Sequence, residues 1–277
     1  MTIPSLPFLE TMLTQVCNLN CLGCTNYSDL KFSGYIPWEE GKEDLSNWLT
    51  KITIPDFGLI GGEPLINPQV REWIKGSRDL LPLSQIRFTT NGLLLEKHFD
   101  VVDLLKDIDN SVLKITVHID DGRVQSVIDK IFKRYYWKPV TEYGIERWAS
   151  GNFRLQINRP TKFTKSYQGN YNNLEPHDSD PDKAFSVCCQ QQCPLLYKQV
   201  IYKCSTSGLL PDLLEKLNKK DSESWLPYTN QTDSSITLDS SLDQINRFVE
   251  NFGRSHRICK MCPETASIEH VSTVSFK

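Results

Sequence analysis

The chain has 277 residues, with 31 Lys and Arg against 34 Asp and Glu and a formal net charge of −3, which leaves no basic footprint for nucleic acid. No apolar run approaches the ~20 residues of a membrane span and no secretory signal is visible, so a cytoplasmic protein with no membrane partner is expected. The length suits one large domain, or one with a small appendage. Nine cysteines, odd in number and unevenly spread, fit metal ligation in a reducing compartment better than disulfides.

In chain order, Phe8 to Thr14 reads as a buried strand, and the loop that leaves it holds Cys17, Cys21 and Cys24 in a C-x3-C-x2-C array. Three thiolates so spaced can grip three corners of a cubane iron–sulfur cluster, leaving the fourth iron open to a small molecule. Short cysteine clusters also bind zinc. A helical stretch from Pro37 to Thr50 precedes a second apolar run, Phe57 to Ile60, which ends in Gly61-Gly62-Glu63-Pro64. Helical spacing over Pro68 to Asp79 leads to a third strand, Ile86 to Thr89, ending in Thr90-Asn91-Gly92. After Lys97 to Lys106 comes a fourth, Leu113 to Val117, ending in His118 and Asp120, and then a helical stretch from Val124 to Tyr135. This alternation predicts an α/β fold, a partial (β/α)6 barrel of the TIM type with a small C-terminal cysteine-rich module. The unusual residues all stand at strand C-termini, where such sheets place their active sites.

The cysteine loop after the first strand, followed by GGEP after the second, resembles the radical S-adenosylmethionine (SAM) superfamily over roughly residues 8 to 160. The resemblance implies a [4Fe–4S] cluster on Cys17, Cys21 and Cys24, with SAM chelated to the open iron. It also implies an external one-electron reductant, such as a flavodoxin or ferredoxin, and release of a 5′-deoxyadenosyl radical that abstracts a substrate hydrogen. Gly61, Gly62, Glu63 and Pro64 would face the SAM amino group. Two glycines let backbone carbonyls approach a ligand, and Glu63 would place negative charge beside an ammonium. Asn91 and His118 are cofactor-binding candidates at the ends of their strands; an ordinary Asn-Gly turn and a structural histidine are the alternatives. Members of the family usually carry an aromatic residue just before the third cysteine. Gly23 stands there in this chain, with Tyr27 as the candidate substitute.

The remaining six cysteines, Cys188, Cys189, Cys193, Cys204, Cys259 and Cys262, all lie after residue 187. This divides the chain into a barrel at 1–183 and a second module at 184–277. Pro194–Tyr197 and Val200–Lys203 read as a hairpin about a turn at Lys198-Gln199, setting Cys193 opposite Cys204. Cys259 and Cys262 add a C-x2-C bite after a helix expected over Leu242 to Phe252. The module resembles the twitch and SPASM auxiliary-cluster modules of the same superfamily, although Gln199 stands where a glycine is usual. Six cysteines complete one four-thiolate site, so a second [4Fe–4S] cluster is expected on Cys204, Cys259 and Cys262 with Cys189 or Cys193, Cys188 standing as a further alternative. A structural zinc site is the alternative. Any surplus cysteine is either inert or a thiol hydrogen donor.

Residues Lys219 to Asp243 read as a long polar excursion, either a solvated linker or a lid. Arg159 to Asp182 read as an irregular bridge lining the substrate entrance. The expected function is oxidation or epimerisation of a small polar, sugar-like substrate, with no catalytic acid or base assigned. The alternatives are a maturase acting on a ribosomally made peptide and a silent iron–sulfur or zinc scaffold. Sixteen residues precede Cys17, which on this reading is too few for a leader-peptide recognition domain.

Overall fold

The computed structural model describes residues 3–119, 122–140, 146–160, 162–266, 268–269 and 272–274. Along the chain, β1 (Phe8–Met12) and a short β2 (Leu19–Cys21) precede α1 (Trp38–Leu49). Then β3 (Asp56–Ile60), α2 (Val70–Leu80), β4 (Gln85–Thr90), α3 (Phe99–Asp107), β5 (Ser111–Thr116) and α4 (Gly122–Arg134) alternate as expected. A hairpin-like pair, β6 (Lys138–Pro139) and β7 (Glu146–Ser150), leads into β8 (Phe153–Asn158) and a short β9 (Lys162–Phe163). The C-terminal part holds α5 (Pro181–Ser186), β10 (Leu195–Tyr197), β11 (Val200–Tyr202), α6 (Ser205–Gly208), α7 (Leu210–Lys216), α8 (Leu226–Thr229), β12 (Ser235–Ile236) and α9 (Leu242–Glu250). Two short strands, β13 (Ile268–Glu269) and β14 (Ser272–Val274), follow.

Ten strands form one open sheet in the order β12-β11-β10-β1-β3-β4-β5-β8-β7-β6. Strands β1, β3, β4, β5 and β8 are parallel, and β10 adds a sixth parallel strand beside β1. The C-terminal hairpin therefore extends the barrel sheet through β1, and its pairing of Leu195 with Tyr202 and Tyr197 with Val200 follows the register read from sequence. Lys198 and Gln199 both take positive φ (49° and 66°), the backbone a tight two-residue turn requires.

Side chains alternate across a strand. Leu9, Phe57, Leu59, Ile86, Phe88, Leu113, Ile115, Leu155 and Ile157 meet α1 to α4 in the main core. Glu10, Gly58, Arg87, Lys114 and Gln156, at the alternate positions, take the inner face. On the helix side α1 and α2 interlock. A Cβ at Gly41 would fall 1.8 Å from the Trp73 ring, and one at Gly76 would fall 2.0 Å from Trp38. Each bare glycine thus receives the tryptophan of the facing helix.

A second core joins β10, α7 and α8 to Tyr27, Tyr167 and Leu174. It corrects one expectation. The polar stretch 219–243 is no open excursion: Trp225 is 1% exposed and donates its indole N–H to Leu174 O at 3.1 Å. The bridge 159–182 is likewise anchored, with the Tyr167 and Tyr171 rings 5.4 Å apart.

Candidate functional site

The site begins where β1 and β3 end, because their parallel pairing continues into the loops. Leu13 N donates to Ile60 O at 2.8 Å, Gly62 N to Thr14 O at 2.7 Å and Glu63 N to Val16 O at 2.8 Å. A Cβ at Gly61 would lie 2.8 Å from Thr14 O, and one at Gly62 would lie 2.3 Å from Val16 O. These glycines admit a close approach of the backbone leading into Cys17. The Gly61 carbonyl accepts from Asn26 Nδ2 at 2.7 Å, which ties the cysteine loop down a second time.

Glu63 is held at the same junction of strand ends. Its side chain is 0% exposed, and its carboxylate accepts from Thr90 Oγ1 at 2.7 Å, Asn91 N at 2.8 Å and Leu65 N at 3.1 Å. Burial pushes its pKa up to about 7, against the pull of those donors. Glu63 clamps the end of β3 to the end of β4. Asn91 stands at the clamp's edge. Its Nδ2 donates to Asn18 Oδ1 at 2.7 Å and lies 3.9 Å from Cys17 Sγ, while its Oδ1 accepts from Leu93 N at 3.0 Å. The structure thus brings Cys17, Asn91 and the GGEP segment together. His118 lies half-buried just past β5, and Asp120 falls outside the described residues.

Within the loop, Cys24 N donates to Cys21 O at 3.2 Å and Tyr27 N to Cys24 O at 3.1 Å. The β2 strand holding Cys21 pairs with β14, Ser272 opposite Cys21. Gly23 has φ +74°, and its Cβ position faces Lys165, so the aromatic residue usual there is disfavoured by backbone conformation. Tyr27 is 1% exposed, and its hydroxyl meets Ser166 Oγ at 3.2 Å and Thr206 O at 3.4 Å.

The loop's donor set fits a cluster with a polar ligand. Burial raises the thiol pKa of Cys17 and Cys24, so their ionisation calls for a cation to take the place of the proton. Gln15 Nε2, Asn18 Nδ2, Asn26 Oδ1, Ser28 Oγ and Asp29 Oδ1 are buried with no hydrogen-bond partner. Buried polar atoms are nearly always satisfied, so this gathering within residues 15–29 marks a place for polar groups from outside the chain. Among the described residues no three His, Cys, Asp or Glu side chains converge on a single ion. A cubane offers each thiolate its own iron, so its grips stand apart.

The C-terminal cysteines gather separately. Cys188, Cys189, Cys204, Cys259 and Cys262 line one pocket together with Thr25 and Ser166. Cys193, which the hairpin register set beside Cys204, is not among them. The ladder ends at Leu195 and Tyr202; Cys204 continues extended (φ −161°) to cap α6, while the buried Cys193 thiol lies in the fields of Glu10, Lys114, Cys189 and Cys188. Cys188 takes a place that sequence left open. The two cysteine sites share a wall: the one hydroxyl proton of Thr206 is shared between Thr25 O at 3.2 Å and Gln190 Oε1 at 2.8 Å.

Residues 11–148 match the family model described as the Radical SAM superfamily. Among similar proteins are the GTP 3′,8-cyclase of Synechocystis sp. (strain ATCC 27184 / PCC 6803 / Kazusa), 32% identical over 114 residues, covering 40% of this chain and 33% of that protein. The GTP 3′,8-cyclase of Listeria monocytogenes serotype 4b is 28% identical over 141 residues, covering 46% and 40%. The chain thus spans about a third to two-fifths of those relatives' length. The crystal structure of BtrN in complex with AdoMet and 2-DOIA covers 98% of this chain and 100% of its own, with TM-score 0.52 and 15% identity. That is a likeness of fold along the whole chain.

Proposed function

Residues 11–148 constitute a radical SAM domain, and from that premise we propose that the protein cleaves SAM reductively and abstracts hydrogen from a small polar substrate. Cys17, Cys21 and Cys24 would hold the [4Fe–4S] cluster, and the orphaned polar atoms of residues 15–29 would meet the bound SAM. When bound, cluster and SAM supply a 5′-deoxyadenosyl radical, the electron coming from an external reductant. Glu63 positions rather than reacts, fixing Asn91 and the Thr90 end of β4 against the cysteine loop.

The single observation that carries this reading is the convergence of the cysteine loop, the GGEP segment and Asn91 around unsatisfied polar atoms. We assign the barrel to 1–183 and an auxiliary-cluster module to 184–277. Cys204, Cys259 and Cys262 with Cys188 or Cys189 would serve as ligands of a second [4Fe–4S] cluster, supported by the five thiols that line one pocket. A second cluster there could accept the electron left on an oxidised substrate; without one, redox-neutral epimerisation is the corresponding outcome. Purine-nucleotide cyclisation is a second reading, favoured by the relatives' likeness within the barrel.

The test is anaerobic reconstitution, with iron, sulfide and 5′-deoxyadenosine measured in wild type and in a Cys17/Cys21/Cys24→Ala triple variant. About eight irons falling to about four, with loss of SAM cleavage, is the expected result. Unchanged iron and cleavage in the variant would overturn the assignment.

A further inference from the structure

Lys203, the residue before Cys204, carries a charge that the chain itself leaves uncompensated. It follows β11 directly, its backbone N–H donating to Ser234 O at 2.8 Å, and it is 5% exposed. Its Nζ donates to the Gln191 carbonyl at 2.9 Å and stands 4.9 Å from the centroid of the Phe185 ring. A carbonyl and an aromatic face attract an ammonium but bring no net charge. Among the described residues no Asp or Glu forms an ion pair with it. A charge buried without a counter-charge is costly, so this one marks a place for an anion.

Phe185, against which the ammonium rests, lines the pocket of Cys188, Cys189, Cys204, Cys259 and Cys262, and no Lys, Arg, His, Asp or Glu is among the lining residues. The other cations around that pocket are engaged elsewhere. Lys260 pairs with Asp178 at 3.0 Å and Lys183 with Glu264 at 3.7 Å, on partly exposed side chains. Lys165 binds the Gly169 carbonyl at the surface, Arg257 is exposed, and Lys114 acts on Cys189 together with Glu10, which opposes it. The one acid acting on Cys259, Asp182, is exposed and accepts from Ser255. Two backbone amides already point at the sulfurs, Gln190 N at 3.2 Å from Cys188 Sγ and His256 N at 3.5 Å from Cys259 Sγ. Donors to sulfur and a buried cation beside it both suit sulfur that carries negative charge.

We propose that Lys203 is the buried counter-ion of the second [4Fe–4S] cluster and raises its reduction potential. The inference rests on the assignment of that cluster to the C-terminal cysteines. A cubane held by thiolates is net negative, and one-electron reduction makes it more so. A fixed ammonium in a medium of low dielectric therefore stabilises the reduced form more than the oxidised form. Salt screens a buried charge little, so the effect persists in solution. The higher potential makes the centre a readier acceptor of the electron that an oxidised substrate gives up. Lys203 acts here through the cluster and does not touch the substrate.

EPR-monitored redox titration of the anaerobically reconstituted full chain, with dithionite as reductant, tests it. The Cys17/Cys21/Cys24→Ala background identifies the signal that belongs to the second cluster. Lys203→Met should lower the reduction equilibrium of that cluster about ten-fold or more, a fall of about 59 mV for one electron. Lys203→Arg keeps the charge and should keep the potential near that of wild type. Circular dichroism checks the fold of each variant, and if Lys203→Met does not fold, Lys203→Gln carries the comparison. An unshifted or raised potential in the folded neutral variant, or a fall as large in Lys203→Arg, would overturn the proposal while leaving the cluster assignment in place. A triple-Ala background that holds no iron would overturn the cluster assignment, and this inference with it.

Discussion

Thr206 Oγ1 donates a hydrogen bond to the backbone carbonyl of Thr25 at 3.2 Å. Thr25 follows Cys24 directly and Thr206 lies two residues past Cys204, so one hydroxyl joins the two cysteine loops. Tyr27 reinforces the junction from the other side, donating to Thr206 O at 3.4 Å. Thr206→Val keeps the shape and deletes the donor. It should cost about 1 kcal/mol of stability and leave Gln190 Oε1 without its 2.8 Å partner. Chemical denaturation of the apo-protein reads the first effect, and iron retention during gel filtration reads the loosening of both loops. A variant matching wild type in both would show that the junction has no mechanical role.

Glu63 gives a sharper prediction. Its two carboxylate oxygens accept three hydrogen bonds in a site closed to water. Glutamine replaces one acceptor oxygen with an NH2 group, which would face a donor. Glu63→Gln should therefore cost about 1–3 kcal/mol, release the end of β4 and lower SAM cleavage about ten-fold or more by displacing Asn91. Retention of wild-type cleavage would mean that the clamp does not position the site.

The cysteine pocket separates ligands from bystanders. Cys204→Ser removes a thiol that lines the pocket and should lose about four irons, the content of one cubane. Cys193→Ser should keep full iron, because that thiol is not among the five that line the pocket. Equal iron loss in both variants would restore Cys193 to the ligand set.

Much of this was legible in the chain because local rules were strong. Strand-and-helix alternation placed β1, β3, β4 and β5, and the C-x3-C-x2-C and GGEP segments fell at adjacent strand ends. The hairpin register followed from the Lys198-Gln199 turn. Other features depend on long-range contacts that no spacing encodes. The packing of the Thr14–Val16 backbone against Gly61 and Gly62 is one of them. Asn26 and Asn67 were passed over, since a single asparagine in a loop gives no pattern. Asn67 Nδ2 nevertheless braces Leu13 O at 3.0 Å and Ile36 O at 2.9 Å. Glu10 was hidden for the opposite reason. An acid inside an apolar strand carries no signal until Lys114 and Arg87 are brought across from other strands.

Glu10 also predicts how stability depends on pH. Burial, only partly offset by Lys114 and Arg87, pushes its pKa from an ordinary 4.5 up to about 7. Between those two values the folded chain binds more protons than the unfolded chain, so stability falls as pH rises. The shift corresponds to roughly 3 kcal/mol at most, taking 1.36 kcal/mol per pKa unit. Glu63, buried and pushed up to about 7 as well, adds a slope of the same sign. Glu10→Gln should therefore flatten the decline of apo-protein stability between pH 5 and 7.5 without abolishing it. Urea midpoints at those two pH values read the effect. A decline as steep in the variant as in wild type would mean that Glu10 is already ionised in the folded state, paired with a cation closer than Lys114 stands.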